Sequence, residues 1–167
     1  MITEYFMASD DDAAAETIDR TGGPSAPPDA AEESAELFGR RAPDTRSAIS
    51  YSVLDGNGIE PTVQLSSLEA LLTGRDIDEL FDEHDAIDLV IASRDGGEGL
   101  VVRLPDALTR ALERATETRL REVAVPWSQT EEFWGDADPS DLAEWLIDLA
   151  DFVREGSGET LYCWVSV

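Results

Sequence analysis

The last 30 residues of the chain constrain its fold more than any other stretch, because they specify a helix and then a strand. Asp138 can accept hydrogen bonds from the free N–H groups of a first helical turn, and Pro139 suits the first helical position, where no N–H is needed. Apolar residues then recur every three or four positions, which predicts one buried stripe: Leu142, Trp145, Leu146, Leu149, Phe152 and Val153. Gly156 predicts the end of the helix.

The chain after Gly156 has the pattern of a strand with two buried faces. Leu161 to Val167 is rich in β-branched and aromatic residues, and both alternating sets of side chains are mainly apolar. Such a strand belongs inside a sheet. Together with the elements described below, it predicts an α+β fold in a single domain over residues 1–167. The expected architecture is a mixed or mostly antiparallel sheet of five to six strands, with helices packed mainly on one face.

The first half of the chain contains shorter elements. Strands are predicted at residues 2–7 and 48–54, and a helix capped by Ser9 follows the first of them. The tetrapeptide Ser66-Ser67-Leu68-Glu69 is a capping box, so a helix is expected to begin there and to end at Gly74. Leu68, Leu71 and Leu72 are the apolar residues of this helix.

Three further stretches are assigned from composition and spacing. Segment 22–47 opens with Gly-Gly-Pro and has few large apolar residues, which predicts a loop-rich, mobile region. From Pro105 to about Arg119 the apolar spacing is helical again. Residues 122–127 are predicted to form one more strand, ended by Pro126.

A hairpin is predicted between Ala86 and Leu104. Its centre is Asp95-Gly96, the kind of dipeptide preferred in a two-residue type I′ turn. Such a turn sets the pairing of the two strands and collects large aliphatic side chains on one face. The expected pairs are Ile91 with Leu100, Leu89 with Val102, and Asp88 with Arg103.

The charge of the chain excludes several classes of partner. It has 37 acidic and 12 basic residues, all twelve of the latter arginine, and its net charge is −25. A protein this acidic would approach phosphates against its own electric field, so we expect no binding to nucleic acid or to anionic membranes. No apolar run is long enough to cross a bilayer and no leader-like start is present, which predicts a cytoplasmic protein.

Three interpretations of the acidity remain open. It can serve a basic protein partner, as in an immunity or inhibitor protein; it can bind cations; or it can reflect only a salt-rich cytosol and a genome that uses arginine in place of lysine. One stretch departs from the trend, because five arginines between Arg103 and Arg121 meet only three acidic residues. They form either an exposed basic patch or ion pairs with the chain's own carboxylates, and the sequence leaves this choice open.

Few residues can support catalysis. His84 and Cys163 are the only histidine and the only cysteine, so a zinc site or a Cys–His nucleophile is not expected. The chain has no glycine-rich phosphate loop, and no cofactor is predicted. Any enzymatic activity would depend on carboxylates and arginines, and a non-catalytic protein is the preferred expectation.

The most site-like segment runs from Pro126 to Asp136. It places aromatic side chains beside carboxylates on a loop before the last helix, and loops on a rigid scaffold often carry function. The candidate binding residues are Trp127, Glu131, Glu132, Phe133, Trp134 and Asp136. Aromatic faces beside acids can receive an arginine from a basic partner. The alternatives are a carboxylate-dependent enzyme or divalent-cation site that also uses Asp138, and aromatics that simply complete the core. The oligomeric state is not predicted.

The order of these elements resembles the YfbM-like family of small bacterial α+β proteins. The resemblance rests on the opening strand Ile2-Thr3-Glu4-Tyr5-Phe6, on Leu71-Leu72-Thr73-Gly74, and on Trp127 followed by a helix and a terminal strand. The chain is also similar to small hypothetical proteins of lysine-poor, high-GC actinobacteria. The resemblance to the YfbM-like family implies a small α+β fold, and neither resemblance brings an assigned activity or functional residues.

Overall fold

A computed structural model of the protein describes residues 1–27, 49–83 and 88–167. Within these ranges the fold is α+β, as predicted, with one antiparallel sheet of five strands in the order β2-β1-β5-β4-β3. The strands are β1 (Ile2–Ala8), β2 (Val53–Asp55), β3 (Val90–Arg94), β4 (Gly99–Arg103) and β5 (Thr160–Ser166). The helices are α1 (Asp11–Ala15), α2 (Val63–Thr73), α3 (Ile77–Glu83), α4 (Asp106–Arg114), α5 (Glu117–Ser128) and α6 (Pro139–Glu155). Short 3₁₀ turns follow α1 (Glu16–Asp19) and α5 (Glu131–Phe133).

The C-terminal helix and strand are confirmed. Asp138 caps α6 by accepting a hydrogen bond of 2.7 Å from the backbone N–H of Ser140. β5 lies between β1 and β4, and its side chains are buried on both faces. Gly156 does end α6, but its φ is −86° and the positive φ occurs at Gly158. A glycine is needed at 156 because a Cβ atom there would lie 2.6 Å from Cγ of Met7.

The sheet separates two apolar clusters. The larger one lies between the sheet and α2, α4, α5 and α6; its sheet residues include Tyr5, Met7, Leu161, Cys163 and Val165. The smaller one, on the opposite face, joins α1 and its 3₁₀ turn to Phe6, Ala8, Val101, Tyr162 and Trp164. Helices therefore pack mainly on one face, as predicted, while α1 covers the centre of the other.

Polar contacts dock α1 on the sheet. The cap of α1 is Asp10, whose Oδ1 accepts from the N–H of Ala13 at 2.9 Å, and the predicted cap Ser9 is wrong. Asp11 accepts a 2.7 Å hydrogen bond from the Tyr162 hydroxyl and pairs with Arg103 at 3.3 Å. Arg103 of β4 thus forms an ion pair with α1, which lies on the sheet, and it forms a second ion pair with Asp106. The predicted pairing of Arg103 with Asp88 is wrong.

The β3–β4 hairpin has a different register from the predicted one. Its pairs are Arg94 with Gly99, Ser93 with Leu100, Ala92 with Val101 and Val90 with Val102, with a bulge between Val90 and Ala92. The turn is longer because Gly97 also adopts a positive φ, of 107°, after Asp95 and Gly96. Ile91 consequently packs on the α1 side of the sheet and does not pair with Leu100. Residues 86–87, where the first strand of the predicted hairpin begins, lie outside the described residues.

The N-terminal boundary of α2 was predicted at the wrong residues. α2 begins at Val63, whose N–H donates to the Glu60 carboxylate at 2.7 Å. Ser66, the first residue of the predicted capping box, lies inside the helix, and its hydroxyl donates to the carbonyl of Thr62. Glu60 therefore supplies the acceptor that the capping box was expected to supply. The predicted end at Gly74 is confirmed by its left-handed φ of 72°.

The region from 105 to 128 forms two helices where one helix and one strand were predicted. The first ends at Arg114 with Ala115 as its C-cap, and Thr116 caps the second by accepting from the N–H of Arg119 at 3.2 Å. The predicted strand at 122–127 is the second half of α5. Leu120, Val123, Ala124 and Trp127 are buried along one face of it. That spacing is helical, and it outweighs the β-propensity of the valines.

The predicted strand at 48–54 is reduced to the three residues of β2. Residues 49–52 precede it without strand pairing, and Arg20 holds them, with Nη1 donating to the carbonyl of Ile49 at 2.6 Å. Residue 48 lies outside the described residues, as does segment 22–47 from residue 28 onward, so its predicted mobility stays a prediction. In the described ranges, no helix combines the length and apolarity that crossing a membrane requires.

Gly56 occupies a position with no room for a side chain. A Cβ atom at this residue would lie 2.1 Å from Oγ1 of Thr3 and 2.9 Å from the Tyr5 ring. We expect Gly56→Ala to lower the free energy of unfolding by about 1–3 kcal/mol, because the strand or the turn must move to relieve the overlap. Urea denaturation measures the difference. Gly99→Ala is the matched control, since a Cβ there meets its nearest atom at 3.5 Å. Equal losses for the two variants would contradict the explanation.

Glu4 carries a pH-dependent penalty. Its Oε2 is buried without a hydrogen-bond partner among the described residues, and burial followed by the charge of Asp55 on the neighbouring strand raises its pKa. A carboxyl with a raised folded-state pKa stabilises the fold only when protonated, and that contribution is lost as pH rises through this pKa. Glu4→Gln is therefore expected to raise the melting temperature near neutral pH. The gain should shrink as pH falls through the folded-state pKa of Glu4.

The control for this experiment is Glu144→Gln, which removes the same charge from an exposed position on α6. Any acid removed from a chain of net charge −25 relieves some general repulsion, and the control measures that part. A gain of the same size and pH dependence in both variants would show that the burial of Glu4 is not its cause.

Candidate functional site

The predicted site segment divides into a buried part and an exposed part. Trp127, at the end of α5, is fully buried, and its Nε1 donates to the carbonyl of Gln64 at 2.9 Å. Its ring meets the ring of Phe133 edge-on, with centroids 5.1 Å apart, and lies 6.2 Å from the ring of Trp145. These aromatic contacts hold the 3₁₀ turn against α2 and α6.

Glu132 is half-buried and packs on the inner side of the segment with Trp127. Its Oε1 accepts a 2.7 Å hydrogen bond from the Ser67 hydroxyl of α2. Burial of this carboxyl raises its pKa, but hydrogen bonds from Ser67, from Thr130 and from the backbone N–H of Glu132 outweigh burial and leave the pKa below the ordinary value. Glu132 thus remains charged and ties the 3₁₀ turn to α2.

Trp134 is the most unusual residue of the segment. Its side chain is 89% exposed, and its backbone is left-handed with a φ of 55°. Gly135 follows with a φ of 80°, so the chain makes a sharp bend at this residue. A bulky residue rarely adopts this conformation, which costs roughly 1–3 kcal/mol. The fold thus holds a large aromatic side chain in water at an energetic cost.

A cleft opens beside this bend, between the 3₁₀ turn, the β2–α2 connection and the start of α6. Its volume is about 510 Å³. Ile59, Leu142 and Trp145 are buried and form its apolar floor, to which Phe133 adds its ring. The exposed rim is polar and acidic, and consists of Asn57, Gly58, Asp136, Asp138 and Asp141. We refer to this surface as the acidic cleft.

The structure separates the six predicted residues. Phe133 and Asp136 line the acidic cleft, Trp127 and Glu132 lie in the packing behind it, and Glu131 and Trp134 are exposed on the segment that borders it. The opposite wall was missed; it includes Asn57, Ile59 and Gln64. The only feature of the sequence that pointed to this wall was the turn Asp55-Gly56-Asn57-Gly58. Such a pattern predicts a bend but does not show which residues lie next to the bend in the folded chain. Trp145 was predicted only as a core residue of α6.

The rim suits a cationic group better than a metal ion. One carboxylate oxygen of Asp138 is already used in the cap of α6, because Oδ1 accepts hydrogen bonds from the N–H groups of Ser140 and Asp141. Across residues 1–27, 49–83 and 88–167, no three acidic, histidine or cysteine side chains converge closely enough to hold a metal ion. The exposed carboxylates instead create a negative field around an apolar floor. That combination is suited to a side chain with an apolar stem and a cationic head.

Comparisons of the chain with protein-family models, with curated proteins and with solved structures find no match.

Alanine substitutions can distinguish the two roles of tryptophan in this segment. Trp127→Ala is expected to lower the free energy of unfolding by about 3–5 kcal/mol, because it empties a fully buried site and removes the hydrogen bond to Gln64. Trp134→Ala is expected to change it by no more than about 0.5 kcal/mol. Chemical denaturation followed by circular dichroism measures both. A loss above about 2 kcal/mol for Trp134→Ala would show that this side chain is part of the fold.

Proposed function

We propose that the protein is a non-catalytic interaction protein of the immunity or inhibitor kind, which binds a basic protein partner at the acidic cleft. The observation that carries the proposal is Trp134. Its indole is 89% exposed at a backbone conformation that strains the chain. Exposed tryptophans are common energetic centres of protein interfaces, because a partner can bury a large rigid surface at a low entropic cost.

The surroundings of Trp134 favour an arginine-bearing partner. Phe133 and Asp136, its near neighbours in sequence, both line the acidic cleft. An arginine can stack its planar guanidinium on an indole face and direct its N–H groups to nearby carboxylates such as Asp136 and Asp141. The apolar floor of the cleft can take the aliphatic stem. Arginine thus has groups that match the exposed indole, the carboxylates of the cleft rim and the apolar floor of the cleft.

The net charge of −25 supports the same proposal through association kinetics. A field of this sign attracts a positively charged protein from a distance and speeds its encounter with the cleft. The field also makes binding sensitive to salt, because screening shortens its reach. Salt adaptation or genome bias accounts for acidic residues, but neither accounts for an exposed tryptophan in the left-handed region.

Intrinsic fluorescence offers a direct test. The other three tryptophans, Trp127, Trp145 and Trp164, are 0%, 5% and 6% exposed, so Trp134 is the tryptophan most open to a ligand, and Trp134→Ala separates its signal from that of Trp145 in the cleft floor. The probe is a short oligoarginine, compared with an oligolysine of equal length at physiological salt. We expect a saturable fluorescence change with oligoarginine, a weaker one with oligolysine, and at least about tenfold weaker binding to Trp134→Ala when it is followed by calorimetry.

Matched charge variants separate a local site from general attraction. The site variant combines Glu131→Gln, Asp136→Asn and Asp141→Asn; the control combines Asp78→Asn, Glu79→Gln and Asp82→Asn on α3. All six residues are exposed, and α3 follows the C-terminal end of α2, whereas the cleft borders its N-terminal end. We expect the site variant to lose more affinity than the control. Equal losses in the two variants, or unchanged binding to Trp134→Ala, would refute the proposal.

A further inference from the structure

A second concave surface lies where the C-terminal end of α2 meets α4 and the start of α5. Its volume is about 420 Å³. Half-buried Leu72, Ala107 and Ala111 contribute apolar surface, and three exposed arginines surround them: Arg110, Arg114 and Arg119. We refer to this surface as the arginine groove. The sequence left open whether the arginines between Arg103 and Arg121 are exposed. Most of them are exposed, and three of them line this one cavity.

Two of these arginines lack the partners that the rest of the chain provides. Five arginines in the described ranges form ion pairs with carboxylates: Arg75, Arg94, Arg103, Arg121 and Arg154. Arg110 and Arg114 make no hydrogen bond or ion pair with any residue in those ranges. Asp106 lies one turn before Arg110, but it pairs with Arg103 instead. In a chain with 37 acidic residues against 12 arginines, two unpaired neighbours are unexpected.

The three guanidinium groups are brought together by the fold. Arg110 and Arg114 are four residues apart on α4 and so lie on the same side of the helix, where like charges repel. Arg119 enters from α5, and its Nη2 donates to the carbonyl of Leu71 at 3.0 Å. This hydrogen bond holds Arg119 at the edge of the groove. The repulsion among the three side chains is relieved by a negative group placed between them.

We propose that the arginine groove binds a small ligand that carries at least two negative charges on oxyanion groups, either phosphate or carboxylate. Guanidinium groups form paired, charge-assisted hydrogen bonds with both kinds of oxyanion. The volume lies within the range of small-molecule sites, and the half-buried apolar side chains can contact a short carbon skeleton. A long polyanion is disfavoured, because the net charge of −25 repels it everywhere outside the groove.

Arginine side-chain signals in NMR spectra test this proposal on the full chain. Pyrophosphate represents phosphate ligands, succinate represents dicarboxylates, and sodium chloride at matched ionic strength is the control. We expect a saturable shift of the Nε–Hε signals of Arg110, Arg114 and Arg119, with a dissociation constant of about 1 mM or tighter. Saturation by pyrophosphate alone assigns the groove to phosphates, saturation by succinate alone assigns it to carboxylates, and saturation by both supports a general oxyanion site.

Variants on the surface of α4 and α5 make the test specific. Arg110→Gln and Arg114→Gln are each expected to weaken binding about tenfold, because each removes charge-assisted hydrogen bonds. Arg121→Gln removes the same charge from a residue that pairs with Glu117 and does not line the groove, so its binding should stay within about twofold. Shifts no larger than those from sodium chloride, or an equal loss in Arg121→Gln, would overturn the proposal. The site is independent of the acidic cleft, and Trp134→Ala should leave it intact.

Discussion

The burial of β5 on both faces is the constraint on which the rest of the structure depends. A central strand with apolar side chains on both sides requires one layer of cover on each face of the sheet. The helices α2, α4, α5 and α6 form the first layer, and α1 with its 3₁₀ turn forms the second. Tyr162 shows how the second layer is positioned, since its ring is buried in the smaller cluster while its hydroxyl reaches Asp11 of α1.

The same arrangement separates two surfaces of opposite charge along α2. Gln64, in the first turn of α2, lines the acidic cleft, and Leu72, in its last turn, lines the arginine groove. The rise between these residues along a helix is about 12 Å. The acidic rim lies at the positive end of the helix dipole and the arginines at its negative end, so each set of charges is placed where the helix favours it.

The sequence predicts the elements of this fold best where capping and periodicity agree. For α6 and β5, Asp138, Pro139 and Gly156 mark the boundaries, and the apolar spacing supports them. Prediction failed where two local signals competed, as in α5, whose valines favour a strand while the spacing of its buried residues is helical. It also failed where a turn added residues, since Gly97 lengthened the hairpin and changed its register. Half of the acidic cleft could not be predicted from the sequence, because its walls come together only through contacts between residues that are distant in the chain.

The exposed tryptophan carries more functional information than the charge that surrounds it. Acidic residues improve solubility and have several physical causes, so their number does not identify a partner. Trp134 is different, because burying it would have been favourable and its left-handed backbone is unfavourable, yet the aromatic packing of Trp127 and Phe133 holds the neighbouring turn in place. A rigid core here presents a single aromatic side chain to solvent. The left-handed backbone closes the 3₁₀ turn, through the hydrogen bond from the N–H of Trp134 to the carbonyl of Glu131, but the exposed indole adds no packing to the fold, and this is the physical argument for the proposed binding role.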